Sequence, residues 1–332
     1  YKNKGSNNVG IGYGSMWGHG NSTGSWNTAV GNSSLGNSGT GVGNVAIGYA
    51  AAHETSNTGD YNTAVGYNAL YYNTGGERNV AIGANALKLY DAESDNLAIG
   101  YDALSGAYSP SNVVVEKNIA IGNYSLKKNS TGNNLAIGYY ALYLNTSGTR
   151  NIAIGHNAYD NADLESDNLA IGYDALGGNI ANAQYNVAIG NYSLDANTSG
   201  NFNTGVGFKA LTSNTTGPGN TAIGYQALYT NTEGDYNTAI GADALLYNLS
   251  GDYNTASGKG ALQANTTGSY NTASGSKALE ANTDGVNNTA SGYAALQSND
   301  GGTKNTASGY AALQLNSTGS FNTASGMYAG NK

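Results

Sequence analysis

"NTASGKGALQANTTGSYNTASGSKALEANTDGVNNTASGYAAL", residues 254–296, states one phrase three times at a constant step of 17 residues. Asn, Ala, Gly and Leu return at each recurrence while the residues between them drift. Worked outward from this stretch, the phrase N-x-A-(I/V/S)-G is found nineteen times, its first Asn running from Asn8 to Asn322. Most spacings are 17, a few are 16, 18 or 19, and one is 22. The consensus coil is N-T-A-I-G-Y-x-A-L-x-x-N-T-x-G-x-x, with positions counted from its first Asn. Seventeen residues are too few for a helical-hairpin repeat, and Gly and Asn-Thr punctuate the coil too often for helices. The period therefore predicts an all-β fold, a parallel β-solenoid (β-roll) of about nineteen 17-residue coils. Two short strands per coil are expected, one at positions 1 to 4 and one near 8 to 12. Stacked at the strand spacing of roughly 4.8 Å, such coils make an elongated rod on the order of 90 Å long. Residues 1–332 read as one continuous solenoid.

The columns of the repeat carry physical requirements. Gly at position 5 is present in every copy, which marks a positive φ or a backbone too close for Cβ. Position 3 is always Ala or Gly, and position 8 is always Ala or Ser, so the interior is thin. Leu at position 9 supplies the main apolar volume, and the Asn columns at positions 1 and 12 are expected to stack into amide ladders. Strand residues alternate, so positions 2 and 4 point away from positions 1, 3 and 5. These outer pairs are Val80 and Ile82, Leu97 and Ile99, Ile119 and Ile121, Leu135 and Ile137, Ile152 and Ile154, Leu169 and Ile171, and Val187 and Ile189. In the more polar C-terminal coils, residues 254–332, the pair becomes Thr-Ser throughout, from Thr255 and Ser257 to Thr323 and Ser325. A sealed interior does not readily exchange Leu and Ile for two hydroxyls, each of which needs a partner when buried. This face is therefore predicted to lie outside, as an aliphatic stripe that another copy of the same chain covers.

Composition narrows the function classes. Of 332 residues, 50 are Gly and 27 are Tyr, only 2 are Pro, and there is no Cys, which excludes disulfides and thiolate metal sites. The net charge of −8 and the lack of a Lys/Arg stripe argue against a nucleic-acid partner. No run of 18 apolar residues supports membrane insertion. Catalysis finds little support: His19, His53 and His156 lie far apart, and no Ser has an evident base. The chain opens on Tyr1 rather than Met and reads as a trimmed product whose export signal is gone, hence secreted or displayed on a cell or virion surface. Tyr1 and Lys332 both fall at coil position 11, so one chain continued by another keeps the period. That reads as head-to-tail growth into a filament or, equally, as a piece cut from a longer array.

A longer duplication is also visible, with "NVAIGANALKLYDAESDNLAIGYDALSG" from Asn79 echoed from Asn151. Residues 105–117 insert extra residues, with Pro110 arguing for a protruding loop. Acidic clusters stand nearby: Asp91, Glu93 and Asp95 with Asp102, and Asp160, Asp163, Glu165 and Asp167 with Asp174. Of these, Asp91, Glu93, Asp95, Asp163, Glu165 and Asp167 offer hard oxygen ligands to calcium, against the plainer reading of solvated turns without an established calcium-loop spacing. No other cofactor is expected. Aromatics recur at position 6 (Tyr67, Tyr101, Tyr139) and position 17 (Trp26, Tyr61, Tyr253), reading as stacked ladders ahead of a sugar-binding surface. Twelve N-x-S/T sequons are mostly the arithmetic of an Asn/Thr-rich repeat.

The phrases "NTAIGYQAL", "NVAIGANAL" and "NLAIGYDAL" resemble the head repeats of YadA-like trimeric autotransporter adhesins, and related repeats in phage tail fibres and bacterial surface fibres. The resemblance covers the whole chain at the level of the A-I-G core. It implies a β-roll, commonly trimeric, used for attachment to host matrix or cells. The family repeat is shorter, about 14 to 15 residues, and these 332 residues include no neck, coiled-coil stalk or membrane-anchor barrel. The reading is thus a self-associating structural fibre or adhesin head. Its alternative is a ligand-binding solenoid that takes glycan or matrix, or binds ice through the Thr-x-Ser columns.

Overall fold

The structure is a computed structural model that describes residues 4–18, 22–36, 39–53, 58–89, 92–106 and 115–331. The described residues contain no helix and nineteen three-residue strands, one per coil, so the chain is a parallel β-solenoid with a repeat of about 17 residues. It divides into two compact units, residues 1–167 and 168–332.

The first unit holds β1 (Val9–Ile11), β2 (Thr28–Val30), β3 (Val45–Ile47), β4 (Thr63–Val65) and β5 (Val80–Ile82). It continues with β6 (Leu97–Ile99), β7 (Ile119–Ile121), β8 (Leu135–Ile137) and β9 (Ile152–Ile154). These pair in parallel in chain order without register slip, so that Ala64, Ala81, Ala98 and Ala120 lie one above another. The second unit holds β10 (Leu169–Ile171), β11 (Val187–Ile189), β12 (Thr204–Val206), β13 (Thr221–Ile223) and β14 (Thr238–Ile240). The last five strands are β15 (Thr255–Ser257), β16 (Thr272–Ser274), β17 (Thr289–Ser291), β18 (Thr306–Ser308) and β19 (Thr323–Ser325), paired in the same way.

The expected second strand is replaced by turns. Positions 7 and 9 are left-handed: Asn68 and Leu70 both have φ of 52°, and Gln226 and Leu228 have 51° and 52°. Each such residue costs roughly 1–2 kcal/mol relative to a right-handed one. The backbone is held there because the two amides point along the stack in opposite directions. Leu70 N donates forward to Ala86 O at 2.9 Å, and Asn68 N donates back to Tyr49 O at 3.0 Å. A net hydrogen bond of about 0.5–1.5 kcal/mol offsets much of that strain. Among the described residues, no non-glycine residue with positive φ is Val, Ile or Thr, the side chains that tolerate this conformation least.

Position 5 shows why its glycine never varies. Gly66 has φ of 141°, and a Cβ there would sit 2.6 Å from the carbonyl oxygen of Gly83 in the next coil. Stacked glycines thus let consecutive corners nest.

The core is narrow. Ala at positions 3 and 8 and Leu at position 9 are fully buried, as at Ala64, Ala69 and Leu70. Two columns of Asn complete the interior. At position 1, Asn79 N donates to Asn62 Oδ1 at 2.9 Å, while Asn62 Nδ2 reaches Gly76 O at 2.8 Å. At position 12, Asn231 Nδ2 donates to Asn214 Oδ1 at 2.8 Å and to Gly234 O at 2.9 Å. Both ladders expected from the sequence are present. The second is interrupted at Ala162, and the Oδ1 of buried Asn145, in the coil before, has no hydrogen-bond partner. That same coil carries Tyr159 in place of Leu at position 9, wholly buried. The coil thus combines a larger residue at position 9 with a smaller one, Ala162, at position 12.

Candidate interaction surfaces

The strand faces divide as the alternation requires. The middle Ala of each strand is buried, while its two neighbours are half-buried or exposed. In the first unit Val80, Ile82, Leu97, Ile99, Ile119, Ile121, Leu135, Ile137, Ile152 and Ile154 therefore form two outward aliphatic columns on β5–β9. In the second unit Leu169, Ile171, Val187 and Ile189 do so on β10 and β11, and Val206, Ile223 and Ile240 extend one of the columns. From β15 onward both columns are hydroxyls, and Thr and Ser are exposed in all five strands. None of these ten hydroxyls is hydrogen-bonded to the protein.

A third column stands beside these two at the residue preceding each Asn of position 1. Where position 2 is Thr, this residue is often aromatic, as in Trp26, Tyr61, Phe202, Tyr236, Tyr253 and Tyr270; along β5–β9 it is polar or charged. The first unit thus presents Arg78, Asp95, Lys117, Asn133, Arg150 and Asp167 in sequence. Arg78 Nε donates to Asp95 Oδ1 at 2.7 Å, and Arg150 Nε to Asp167 Oδ1 at 2.6 Å. Those guanidinium hydrogen bonds hold the Asp95 and Asp167 carboxyls below the usual carboxylate range. A shallow recess of about 380 Å³ is lined by Lys117, Asn133 and Arg150 together with Ile119, Leu135 and Ile152, so the charged and aliphatic columns share one face. The sequence reading missed this charged column. Its signal was the anticorrelation between position 2 and the residue two places before it.

The acidic clusters are tied into the fold by hydrogen bonds. Asp95 and Asp167 are engaged by arginines, as above. Glu165, at the position that is Gly in most coils, is buried and its Oε2 accepts from the amides of Asp163 and Leu164 at 3.0 and 3.1 Å. In the coil before, the equivalent amides of Thr146 and Ser147 donate to the carbonyl of Asp163. The carboxylate therefore replaces a backbone acceptor. Glu93 behaves similarly, with Oε2 accepting from Ala92 N at 2.8 Å. Thr146 Oγ1 donates to Asp163 Oδ1. Among the described residues no three carboxylates or imidazoles gather as a metal site. Of the residues expected to ligate calcium, Glu93, Asp95, Asp163, Glu165 and Asp167 thus each have a protein partner; Asp91 lies outside the described residues, as does 107–114 of the expected loop.

Asp195 and Asp174 stand near one another in the second unit, where burial and then the Asp174 charge push the Asp195 carboxyl up. The tyrosine columns stack on themselves. Tyr236, Tyr253 and Tyr270 lie 5.3 and 5.2 Å apart at 15° and 6°, and Tyr185 and Phe202 5.1 Å apart at 1°. Rings packed face to face leave mainly their edges exposed, which favours the structural role over sugar stacking. The sequon residues Asn129, Asn145, Asn197, Asn214, Asn248 and Asn265 belong to the inner ladder and are fully buried, closed to a glycan in the folded chain.

The chain matches no protein-family model, and no curated protein matches it in sequence.

Proposed function

We propose that the protein is a structural fibre or adhesin-head component, secreted or displayed on a surface, that associates laterally with copies of itself. The observation that carries this reading is the pair of outward aliphatic columns on β5–β9, continuous over five coils and free of insertion into the strands. A soluble chain that turns a row of Leu, Ile and Val to water gains by covering it, at roughly 25 cal/mol per Å² of apolar surface removed. The resemblance to trimeric adhesin heads points the same way, since it too implies copies associated side by side. No catalytic step is part of this reading.

Sedimentation of the purified chain at micromolar concentration tests it. Multimers are expected that dissociate when Ile119 and Ile152 are replaced by Thr; a monomer at every concentration refutes it.

A second reading has its own observation. The ten unpartnered hydroxyls of β15–β19 form a two-column lattice, repeated at the strand spacing of about 4.8 Å, with no insertion among the coils. Such an array suits a surface of ordered water, and ice is the partner that it fits. Thermal hysteresis lost on Thr289→Leu supports it, and no hysteresis in the unaltered chain refutes it.

A further inference from the structure

We infer that two copies pair antiparallel across the aliphatic face of the first unit, about a two-fold axis that passes between β7 and β8; this rests on the lateral association proposed above. The reasoning starts from the order of columns. The charged column, position 2 and position 4 run side by side along the strand direction, and the shared recess places the first two on one face. Two copies can meet face to face by a two-fold axis in the plane of contact, and that axis has two limiting directions.

An axis along the stack leaves the copies parallel and reverses the columns left to right. The charged column of one copy then lies against position 4 of the other at the same height. Arg78 would face Ile82, Asp95 would face Ile99, Lys117 would face Ile121, and Arg150 would face Ile154. Every charge is set on an aliphatic side chain with no counter-charge from the other copy, which desolvation disfavours.

An axis perpendicular to the stack keeps the columns in place and reverses their order from top to bottom. Each column then lies on itself: aliphatic on aliphatic, charged on charged. The series is plus at Arg78, minus at Asp95, plus at Lys117, neutral at Asn133, plus at Arg150 and minus at Asp167. Reversed about the midpoint between Lys117 and Asn133, it sets Arg78 against Asp167, Asp95 against Arg150, and Lys117 against the neutral Asn133. Four charge pairs of opposite sign meet, and no like charges do. The intrachain pairs Arg78–Asp95 and Arg150–Asp167 become two closed quartets with the other copy. Moving the axis by half a coil sets like charges together, Arg78 on Arg150 through β7 or Lys117 on Arg150 through β8. Moving it by a whole coil leaves two opposite-sign contacts in place of four, so the complementarity is greatest in this register.

Spin labels at two heights read the arrangement directly, and the described residues contain no free cysteine to interfere. Asn133→Cys lies half a coil from the axis and Tyr61→Cys three and a half coils away. The antiparallel pair therefore separates equivalent labels along the stack by about 5 Å in the first and about 34 Å in the second. Dipolar spectroscopy on each labelled variant, after circular dichroism confirms that it is folded, is expected to give a distance longer by on the order of 10–20 Å or more for Tyr61→Cys. Any arrangement with its axis along the stack, two-fold or three-fold, holds each label at one height in every copy. Similar distances for the two variants overturn the antiparallel pairing and leave lateral association standing. Absence of dipolar coupling together with a monomer in sedimentation overturns the association itself.

Discussion

Asn248→Ala removes one rung from the inner amide ladder, and the cost follows from what the rung holds. Asn248 Nδ2 donates to Asn231 Oδ1 at 2.8 Å and to Gly251 O at 2.9 Å, and its Oδ1 accepts from Asn265 Nδ2 at 2.7 Å. Asn265 keeps its bond to Gly268 O at 2.8 Å. Asn231 Oδ1, by contrast, is left buried without a donor, the situation that Asn145 already endures below Ala162. Three hydrogen bonds at about 0.5–1.5 kcal/mol net each, with the orphaned acceptor raising the figure, put the loss near 3–5 kcal/mol. Because each coil contacts its neighbours alone, the loss is local, and hydrogen exchange reads it better than a global melt. Peptides that span 231–268 are expected to exchange faster by two to three orders of magnitude, while peptides of 62–89 stay protected. A loss below about 1 kcal/mol, or an equal effect in both regions, would refute the ladder as a source of stability.

Gly224→Ala places a Cβ 2.6 Å from the carbonyl oxygen of Gly241 at a φ of 141°, and a denaturant titration should show a loss on the order of 3 kcal/mol or more. Tyr253→Ala removes two stacking contacts, those with Tyr236 and Tyr270, and should cost about 1–3 kcal/mol and reduce the near-ultraviolet circular dichroism. Asp195 has a folded-state carboxyl raised by burial and by Asp174, so the fold binds its proton more tightly than the unfolded chain does. That stability is present in acid and is lost as pH rises from the ordinary value of about 4 through the raised one. Asp195→Asn should remove this fall, as measured by melting temperature against pH. Arg78→Ala should weaken the opposite trend at Asp95 in the same melting series, where the lowered carboxyl favours the fold above its ordinary range and ceases to do so as pH drops through the depressed value.

The period, the stacked small residues, both Asn ladders and the outward direction of positions 2 and 4 were all readable, because each is a demand that one coil makes of the next. Ala64 and Ala81 must match since they lie atop one another; Ile82 need not match Ser257, since both face outward. The second strand was misread for a reason that the columns also contain. Val and Ile are abundant at positions 2 and 4, yet no copy places either at position 7 or 9. That avoidance is the mark of a left-handed backbone, and Leu in a turn hides it because Leu is also the residue expected of a buried strand. The protein partners of the acidic residues were hidden for a different reason. Whether Glu165 grips a cation or two amides depends on where its chain turns, which composition does not encode.

The left-handed leucines also govern how such a chain is built. Leu228 finds its acceptor in the coil after it, at Ala244, and Gln226 finds its own in the coil before, at Phe208. A solitary turn therefore carries the strain with neither reward, and is uphill by itself. Growth proceeds by templating, each finished turn serving as the mould for the next. Nucleation of the first few turns is then slow and their propagation fast, so lengthening the array adds little delay, whereas a defect inside the first nucleus delays everything.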